Sequence, residues 1–391
     1  MTKSEKKITV MQLLPALENG GVERGTIDVA KALKKEGFEP IVVSKGGVLI
    51  YQLREAGIAH VTLPVHSKNP LTIFLNIRRL EKIIAEHKVD IIHARSRAPM
   101  WSAYFACKKT KTKLVATVHG TYSLNFLKWE NFAPKRIYNE IMLKADRVIA
   151  VSNFIKTYLL KNYLEDFSGK VSVIQRGADL NYFNAKAVSN SLVVELMKKW
   201  HLPEDKKIIL MPARFTAWKG HEFLLETLTK VKNDFCCVLV GSDHGHKAFR
   251  KKIEQLVVKK ELEGKVRIVG LCKDMQTAYS IAHLVVCPSI RPEAFGRISI
   301  EAQALGKIII ATKIGGSLDT IIEDKTGFLV DVGDTQKFAE LIDRVLEMSE
   351  AETDLIGDAA HKNIVENFSN EKMCRLTLDV YRELLSQNPT Q

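Results

Sequence analysis

Ile8-Thr-Val-Met-Gln-Leu-Leu14, Pro15-Ala-Leu-Glu-Asn-Gly-Gly21 and the run Val22–Glu36 open this chain as a strand, a glycine-ended loop and a helix. A short, nearly continuous apolar run bounded by turn residues suits a strand buried on both faces, the habit of a parallel sheet. The pattern continues through strand-like Pro40–Val43, Val89–His93, Lys113–His119 and Arg147–Val151, with helical segments between most of them. Alternation of this kind predicts a parallel sheet covered on both faces. It restarts near Lys206. Ile208–Met211, Cys236–Val240, Val266–Val269, Leu284–Cys287 and Ile308–Ala311 read as buried strands, separated by amphipathic helices such as His221–Val231 and His246–Leu262. The expected fold class is α/β, with two Rossmann-like domains facing across a cleft. Residues 1–180 form the first domain and 181–369 the second, joined near Gln175–Lys186. Residues 370–391 add a C-terminal helix, Asn370–Ser386, free to pack on either domain or to cross back to the first.

Bulk properties agree with this outline. A chain of 391 residues is long for one core, and 46% apolar with 26% charged residues is ordinary for a soluble protein. No apolar run approaches the roughly 18 residues that a membrane-crossing helix needs. Met1-Thr-Lys-Ser-Glu-Lys-Lys7 is too short and too polar for a secretion signal, so a cytoplasmic protein is expected. The cysteines, Cys107, Cys236, Cys237, Cys272, Cys287 and Cys374, form no Cys-x-x-Cys pair and read as buried reduced thiols. The net charge of +13 is unevenly spread. Residues 1–180 carry 29 Lys and Arg against 16 Asp and Glu, whereas residues 181–391 carry 29 of each. A basic first half points to an anionic partner, such as nucleic acid, acidic lipid or a phosphorylated substrate, or to a lysine-rich solvated surface.

The chemistry gathers at strand ends, where open parallel sheets bind ligands. Gly20-Gly21 precedes a helix N-terminus, a place for phosphate or sugar against backbone N–H groups. It is not Gly-x-Gly-x-x-Gly, which weakens a dinucleotide reading. Arg214 and Lys219, in Pro212-Ala-Arg-Phe-Thr-Ala-Trp-Lys-Gly220, follow the second domain's first strand and suit a diphosphate. Gly241, in Val240-Gly-Ser-Asp-His-Gly245, marks another strand-end turn able to line a nucleotide pocket. His119 closes an apolar strand beside Gly120 and faces the expected cleft. Arg291-Pro-Glu-Ala-Phe-Gly-Arg-Ile-Ser-Ile-Glu-Ala-Gln-Ala-Leu305 sets Glu293 in a turn and Glu301, eight residues on, along an Ala-rich helix. A loop acid near a helix N-terminus suits a polyhydroxylated ligand that carries phosphate. Asp-x-Asp, the phosphate loop of NTPases and a Gly-x-Ser-x-Gly elbow are all absent from the sequence.

In this order the motifs resemble the retaining, nucleotide-sugar-dependent glycosyltransferases of family 4, the glycosyl transferases group 1, whose fold is GT-B. Glu293 and Glu301 match the family's Glu-x7-Glu motif. Pro212–Gly220 resembles its Gly-Arg-x-x-x-x-Lys-Gly loop, with Ala213 in place of the usual Gly. Ala145–Ser152, Val173-Ile-Gln-Arg-Gly-Ala-Asp179, Cys287-Pro-Ser289, Gly315-Gly316 and Thr326–Val330 continue the match over about residues 8–370. The resemblance implies that Arg214 and Lys219 hold the donor diphosphate, Glu301 the ribose hydroxyls, and Glu293 the transferred sugar. Amides of Ala294, Phe295 and Gly296 would reach sugar hydroxyls or phosphate. Gly20-Gly21 would close on the diphosphate, and His119 would lie near the sugar. It implies a nucleotide-sugar donor, most often of uridine, no other cofactor and no metal, and a leaving phosphate that accepts the acceptor's proton. Arg297 and Asp319 depart from the family pattern and leave donor identity open; Arg297, inside the donor loop, would touch phosphate or an acidic sugar, or point to solvent.

The resemblance also makes the basic first half the acceptor side, for a glycan or lipid-linked acceptor in cell-envelope polysaccharide or lipopolysaccharide synthesis. Arg95 and Arg97 leave a strand end and suit an anionic acceptor. Lys108-Lys-Thr-Lys-Thr-Lys113 and Lys128–Arg136 suit an anionic bilayer surface, which would place the protein peripherally at the inner face of the cytoplasmic membrane. Two rivals stand beside this reading. One is a GT-B nucleotide-sugar epimerase, which needs no acceptor. The other is a nucleic-acid binder, disfavoured because no binding module or stacking-aromatic pattern accompanies the charge.

Overall fold

The computed structural model describes residues 7–18, 20–121, 138–163, 168–243 and 245–386. The chain divides into two compact units, Met1–Arg176 with Glu371–Gln391, and Gly177–Asn370.

Among the described residues the first unit is built on seven parallel strands. These are β1 Thr9–Leu13, β2 Glu39–Ser44, β3 Ala59–Thr62, β4 Ile91–Ala94, β5 Lys113–Val118, β6 Arg147–Ala150 and β7 Val171–Val173, in the order β3-β2-β1-β4-β5-β6-β7. The second unit has six: β8 Lys207–Pro212, β9 Phe235–Val240, β10 Val266–Val269, β11 Leu284–Cys287, β12 Ile308–Thr312 and β13 Phe328–Val330, in the order β10-β9-β8-β11-β12-β13. Each sheet reverses its winding once, between β1 and β4 in the first and between β8 and β11 in the second. Those are the points where a doubly wound sheet opens a crevice at its strand ends. Three strands carry too little pattern to be read from sequence. β3 is a half-exposed edge strand, and β7 and β13 have three residues each, also at sheet edges.

Burial explains why the central strands are so plainly apolar. Val10, Ile91, Val115 and Ile149 come from neighbouring strands and pack with Val29 and Leu33 of the helix Gly21–Lys35. The terminal helix Asn370–Ser386 lays Met373, Cys374, Leu378, Tyr381 and Leu384 into the same core, so its residues count with the first unit. Tyr381 is wholly buried and its hydroxyl meets His93 Nδ1 at 2.5 Å, while His93 Nε2 meets Thr117 Oγ1 at 2.6 Å. Both polar atoms of that buried ring are therefore satisfied. The second unit's core joins Ile209, Met211, Cys237, Leu239, Leu284, Val286, Ile308 and Ile310 from its sheet to Leu224, Leu228, Phe338 and Ile342 from flanking helices.

All six cysteines are free thiols, and five are buried. Burial pushes Cys107 and Cys374 up to about 12, far from a reactive thiolate. Among the described residues no helix is long and apolar enough to cross a membrane.

Candidate active site

In the second unit the loops leaving β8, β9, β11 and β12 are joined through their backbones. Ile290 N–H donates to Trp218 O at 2.9 Å, and Phe215 N–H to Ser242 O at 3.0 Å. Gly220, at φ +82°, ends the β8 loop, and a Cβ there would lie 1.8 Å from Pro288 O. Gly316, in the β12 loop, donates its N–H to Glu293 O at 2.8 Å, and a Cβ there would lie 2.2 Å from Phe295 O. Only glycine lets the chains approach so closely. Gly241 after β9 lies in similar contact with Ala213 O.

This packing fixes a buried ion pair. Lys219 ends a short 3-10 turn, is 8% exposed, and donates from Nζ to Glu293 Oε1 at 2.7 Å. The same oxygen accepts from Ser289 Oγ at 2.5 Å and from Cys287 Sγ at 3.3 Å. Burial alone would push the Glu293 carboxyl up. The Lys219 charge and the hydrogen bonds from Lys219, Ser289 and Cys287 outweigh it, and the net shift is downward. Glu293 is thus a carboxylate with one oxygen fully engaged. Arg214, at the carboxyl end of β8, is exposed, and among the described residues its guanidinium carries no hydrogen bond or ion pair. It offers an unengaged fork beside the switch point, next to a lysine that is already engaged.

Ala294 and Phe295 lead to Gly296, at φ +87°, which caps the helix Arg297–Ala304. The helix begins four residues after Glu293, so the two glutamates are not on one helix face. Glu301 has its own partners. Arg297 Nη2 donates to its Oε1 at 2.7 Å and Tyr279 OH to its Oε2 at 3.0 Å. Burial and the Glu301 charge push the Tyr279 phenol well above its usual range, so it stays a donor. Arg297 therefore turns back along its own helix onto Glu301. Among the described residues no group of His, Cys, Asp and Glu is placed to hold a metal ion.

In the first unit, Gly20 caps the helix that begins at Gly21, with no side-chain cap. The carboxylate of Glu23 lies over it, 2.3 Å from where an alanine Cβ would sit. Arg95, at the end of β4, is buried. Its Nε and Nη2 donate to Gln12 Oε1 at 3.0 and 2.8 Å, and Nη2 also to Gly25 O at 3.0 Å. Gln12 in turn donates to Thr26 O at 3.0 Å, so Arg95 braces β1 against the glycine-ended helix. Arg97 begins the helix Arg97–Thr110, donates to Asn139 Oδ1 at 2.6 Å and lies 5.7 Å from the Tyr138 ring. His119 follows β5 and accepts at Nδ1 from Arg176 Nη2 at 2.9 Å. Lys108, Lys109, Lys111 and Lys113 run from a helix end into β5, while Lys128–Arg136 lies outside the described residues.

Lys219 and Glu293 thus meet each other, and Arg297 meets Glu301. Ser289, Tyr279 and Arg176 were not singled out as site residues from sequence. Ser289 and Arg176 stood inside quoted motifs, and Tyr279 gave no local signal.

Residues 19–182 match a family model described as Glycosyltransferase Family 4, and residues 194–362 one described as Glycosyl transferases group 1. A solved glycosyltransferase from Rickettsia africae ESF-5 is similar at TM-score 0.90 and 40% identity, over 98% of this chain and 100% of that one. HepE of Anabaena, solved with UDP and glucose, is similar at TM-score 0.82 and 22% identity, over 97% and 100%. The D-inositol 3-phosphate glycosyltransferase of Xylanimonas cellulosilytica is 22% identical over 401 residues, covering 95% of this chain and 94% of the relative.

The buried pair makes a stability prediction. Lys219→Met leaves a carboxylate buried without its cation, at a cost of about 3–5 kcal/mol in denaturant unfolding, and adding Glu293→Gln recovers part of it. The stabilisation is complete above the carboxylate's ordinary value of 4.5 and is lost as pH falls below it toward the lowered folded value. A single variant within about 0.5 kcal/mol of wild type contradicts the pairing.

Proposed function

Since this chain belongs to family 4 of the glycosyl transferases, group 1, with the GT-B fold, we propose that it moves a sugar from a uridine-diphosphate sugar with retention of configuration and without a metal. The observation that carries this is the Lys219–Glu293 pair at the β8–β11 switch point, with the exposed Arg214 at the start of the same β8 loop. HepE, which shares the fold, was solved with UDP and glucose, and that supports uridine as the base.

The chemistry follows from charge. Departure of a nucleoside diphosphate builds negative charge on phosphate and positive character at the sugar's anomeric carbon. Arg214 meets the diphosphate with a forked donor and Lys219 with a point charge. Lys219 is held in place by Glu293, so its ordering precedes donor binding. The oxygen of the ionised Glu293 that Lys219 leaves open accepts from a sugar hydroxyl, and the amides of Ala294, Phe295 and Gly296 lie beside it. Glu301 takes the ribose hydroxyls, with Tyr279 and Arg297 holding its carboxylate at a set angle. Gly241 lines the nucleotide side. In the first unit, Gly20-Gly21 supplies helix-end amides once the Glu23 carboxylate gives way, and His119 reaches the sugar. The leaving phosphate itself takes the acceptor's proton, so no side chain acts as general base.

The acceptor in this reading is a glycan or lipid-linked glycan of cell-envelope polysaccharide or lipopolysaccharide synthesis, met by the basic first unit. Arg97 offers the cation, and the buried Arg95 keeps the neighbouring loop in place. The reading also puts the protein peripherally at the inner face of the cytoplasmic membrane, and its surface supports this. Leu71, Phe74 and Leu75 are exposed on one face of the helix Pro70–His87 with Arg78 over Phe74, and Phe105 is exposed on Arg97–Thr110 beside Lys108 and Lys109. Apolar and aromatic side chains rimmed by cations suit an anionic bilayer surface.

A thermal-shift panel of UDP-, GDP- and ADP-sugars in EDTA checks the donor. A UDP-sugar raises the melting point most, because ligand bound only to the folded state stabilises it. Glu293→Gln, assayed at a temperature where circular dichroism shows it folded, then lowers donor turnover on the order of 10²-fold, and wild-type turnover in that variant refutes its role. Liposome flotation checks the surface. The protein floats with anionic vesicles and not with neutral ones, and equal behaviour in both refutes membrane attachment through these cations.

A further inference from the structure

Arginine has only donors, so the 2.9 Å contact from Arg176 Nη2 makes His119 Nδ1 an acceptor. The ring's proton is then on Nε2. That atom is buried and has no hydrogen-bond partner among the described residues. A buried N–H without a partner is costly, and it points to a group that supplies one when bound. Among the described residues the charged and titratable groups that act on the ring are Arg176 from the segment after β7, and Arg95 and His93 from β4 and its end. His93 is committed to Tyr381 and Thr117, and Arg95 to Gln12 and Gly25. Burial first, then these neighbours, hold the imidazole well below its ordinary range. Ile174 N–H, bonded to Ala150 O at 3.0 Å, fixes the segment that carries Arg176, the last residue of the first unit before the chain passes into the second.

Resting on the reading that His119 meets the donor sugar, we propose that Arg176 is a positioning residue that holds His119 as a neutral imidazole with its Nε2–H presented to a hydroxyl of the transferred sugar. Neutrality matters for the reaction. An imidazolium would add positive charge beside an anomeric carbon that is itself becoming positive, whereas a neutral donor grips a hydroxyl without that repulsion. Arg176 thereby sets the tautomer of a ring it touches at one atom, and its charge adds to the burial that keeps that ring neutral.

Long-range ¹H–¹⁵N spectra of histidine-labelled protein, with His119 assigned by its loss in His119→Ala, read the tautomer directly. In wild type the ring is the Nε2–H form and is still uncharged at the ordinary histidine value of 6.5. In Arg176→Met the neutral ring gains the Nδ1–H form and titrates at higher pH. Release of UDP from the donor falls on the order of 10²-fold at pH 6, and Arg176→Lys, which still donates to Nδ1, restores much of it. An unchanged ring in Arg176→Met overturns the proposal, because burial alone would then hold the tautomer. A wild-type ring that carries its proton on Nδ1 or titrates normally overturns it too, and decides the matter even where Arg176→Met fails to fold. If the ring responds to Arg176 but His119→Ala turns over donor at the wild-type rate, the sugar contact on which the proposal rests is overturned instead.

Discussion

The ion pair between Lys219 and Glu293, 2.7 Å long and nearly closed to solvent, is the constraint on which the second unit's strand-end loops depend. A buried charge persists only with a partner, and here each charge is the other's reason to be buried. The pair spans the loops after β8 and β11, the two strands between which the sheet reverses. Ser289 and Cys287 donate to the same carboxylate oxygen as Lys219, and the backbone bond from Gly316 holds Glu293 from the β12 side. Positioning is thus done before any ligand arrives, which is the condition for fixed charges to act on a developing charge without reorganising.

Two further charge arrangements follow the same logic. Glu301 is held between Arg297 and Tyr279, so the carboxylate assigned to ribose has a set orientation. Arg95 is buried, donates to the neutral acceptors Gln12 and Gly25, feels the Asp28 charge, and ties the first strand to the helix that starts at Gly21. In each case a cation read from sequence as a ligand group is engaged with protein groups. Arg214, by contrast, is exposed at a strand end, and among the described residues its guanidinium carries no hydrogen bond or ion pair.

The central strands were legible because burial on both faces demands uninterrupted apolar runs, as in Cys236–Val240 and Ile308–Ala311. β3, β7 and β13 were not, since β3 interrupts its apolar residues with His60 and Thr62 and the other two have three residues each. The site motifs were legible as residue types at strand ends, but their pairings were not. Nothing local in the sequence joins Lys219 to Glu293, 74 positions apart, or brings Tyr279 to Glu301. Those contacts arise from strand order, which sets loops far apart in sequence side by side. Arg176 shows the same limit: its motif was visible, and its contact with His119 depends on β5 and β7 lying in one sheet.

The central claim is that side-chain cations at the β8–β11 switch point, and not a bound metal, hold the donor's diphosphate. Calorimetric titration of UDP into the protein in EDTA tests it most directly. The account predicts one UDP per chain without added metal, and about 10-fold or greater weakening in Arg214→Ala, the loss of a charged hydrogen bond. Binding that appears only on adding a divalent cation, or that is unchanged in Arg214→Ala, would contradict it.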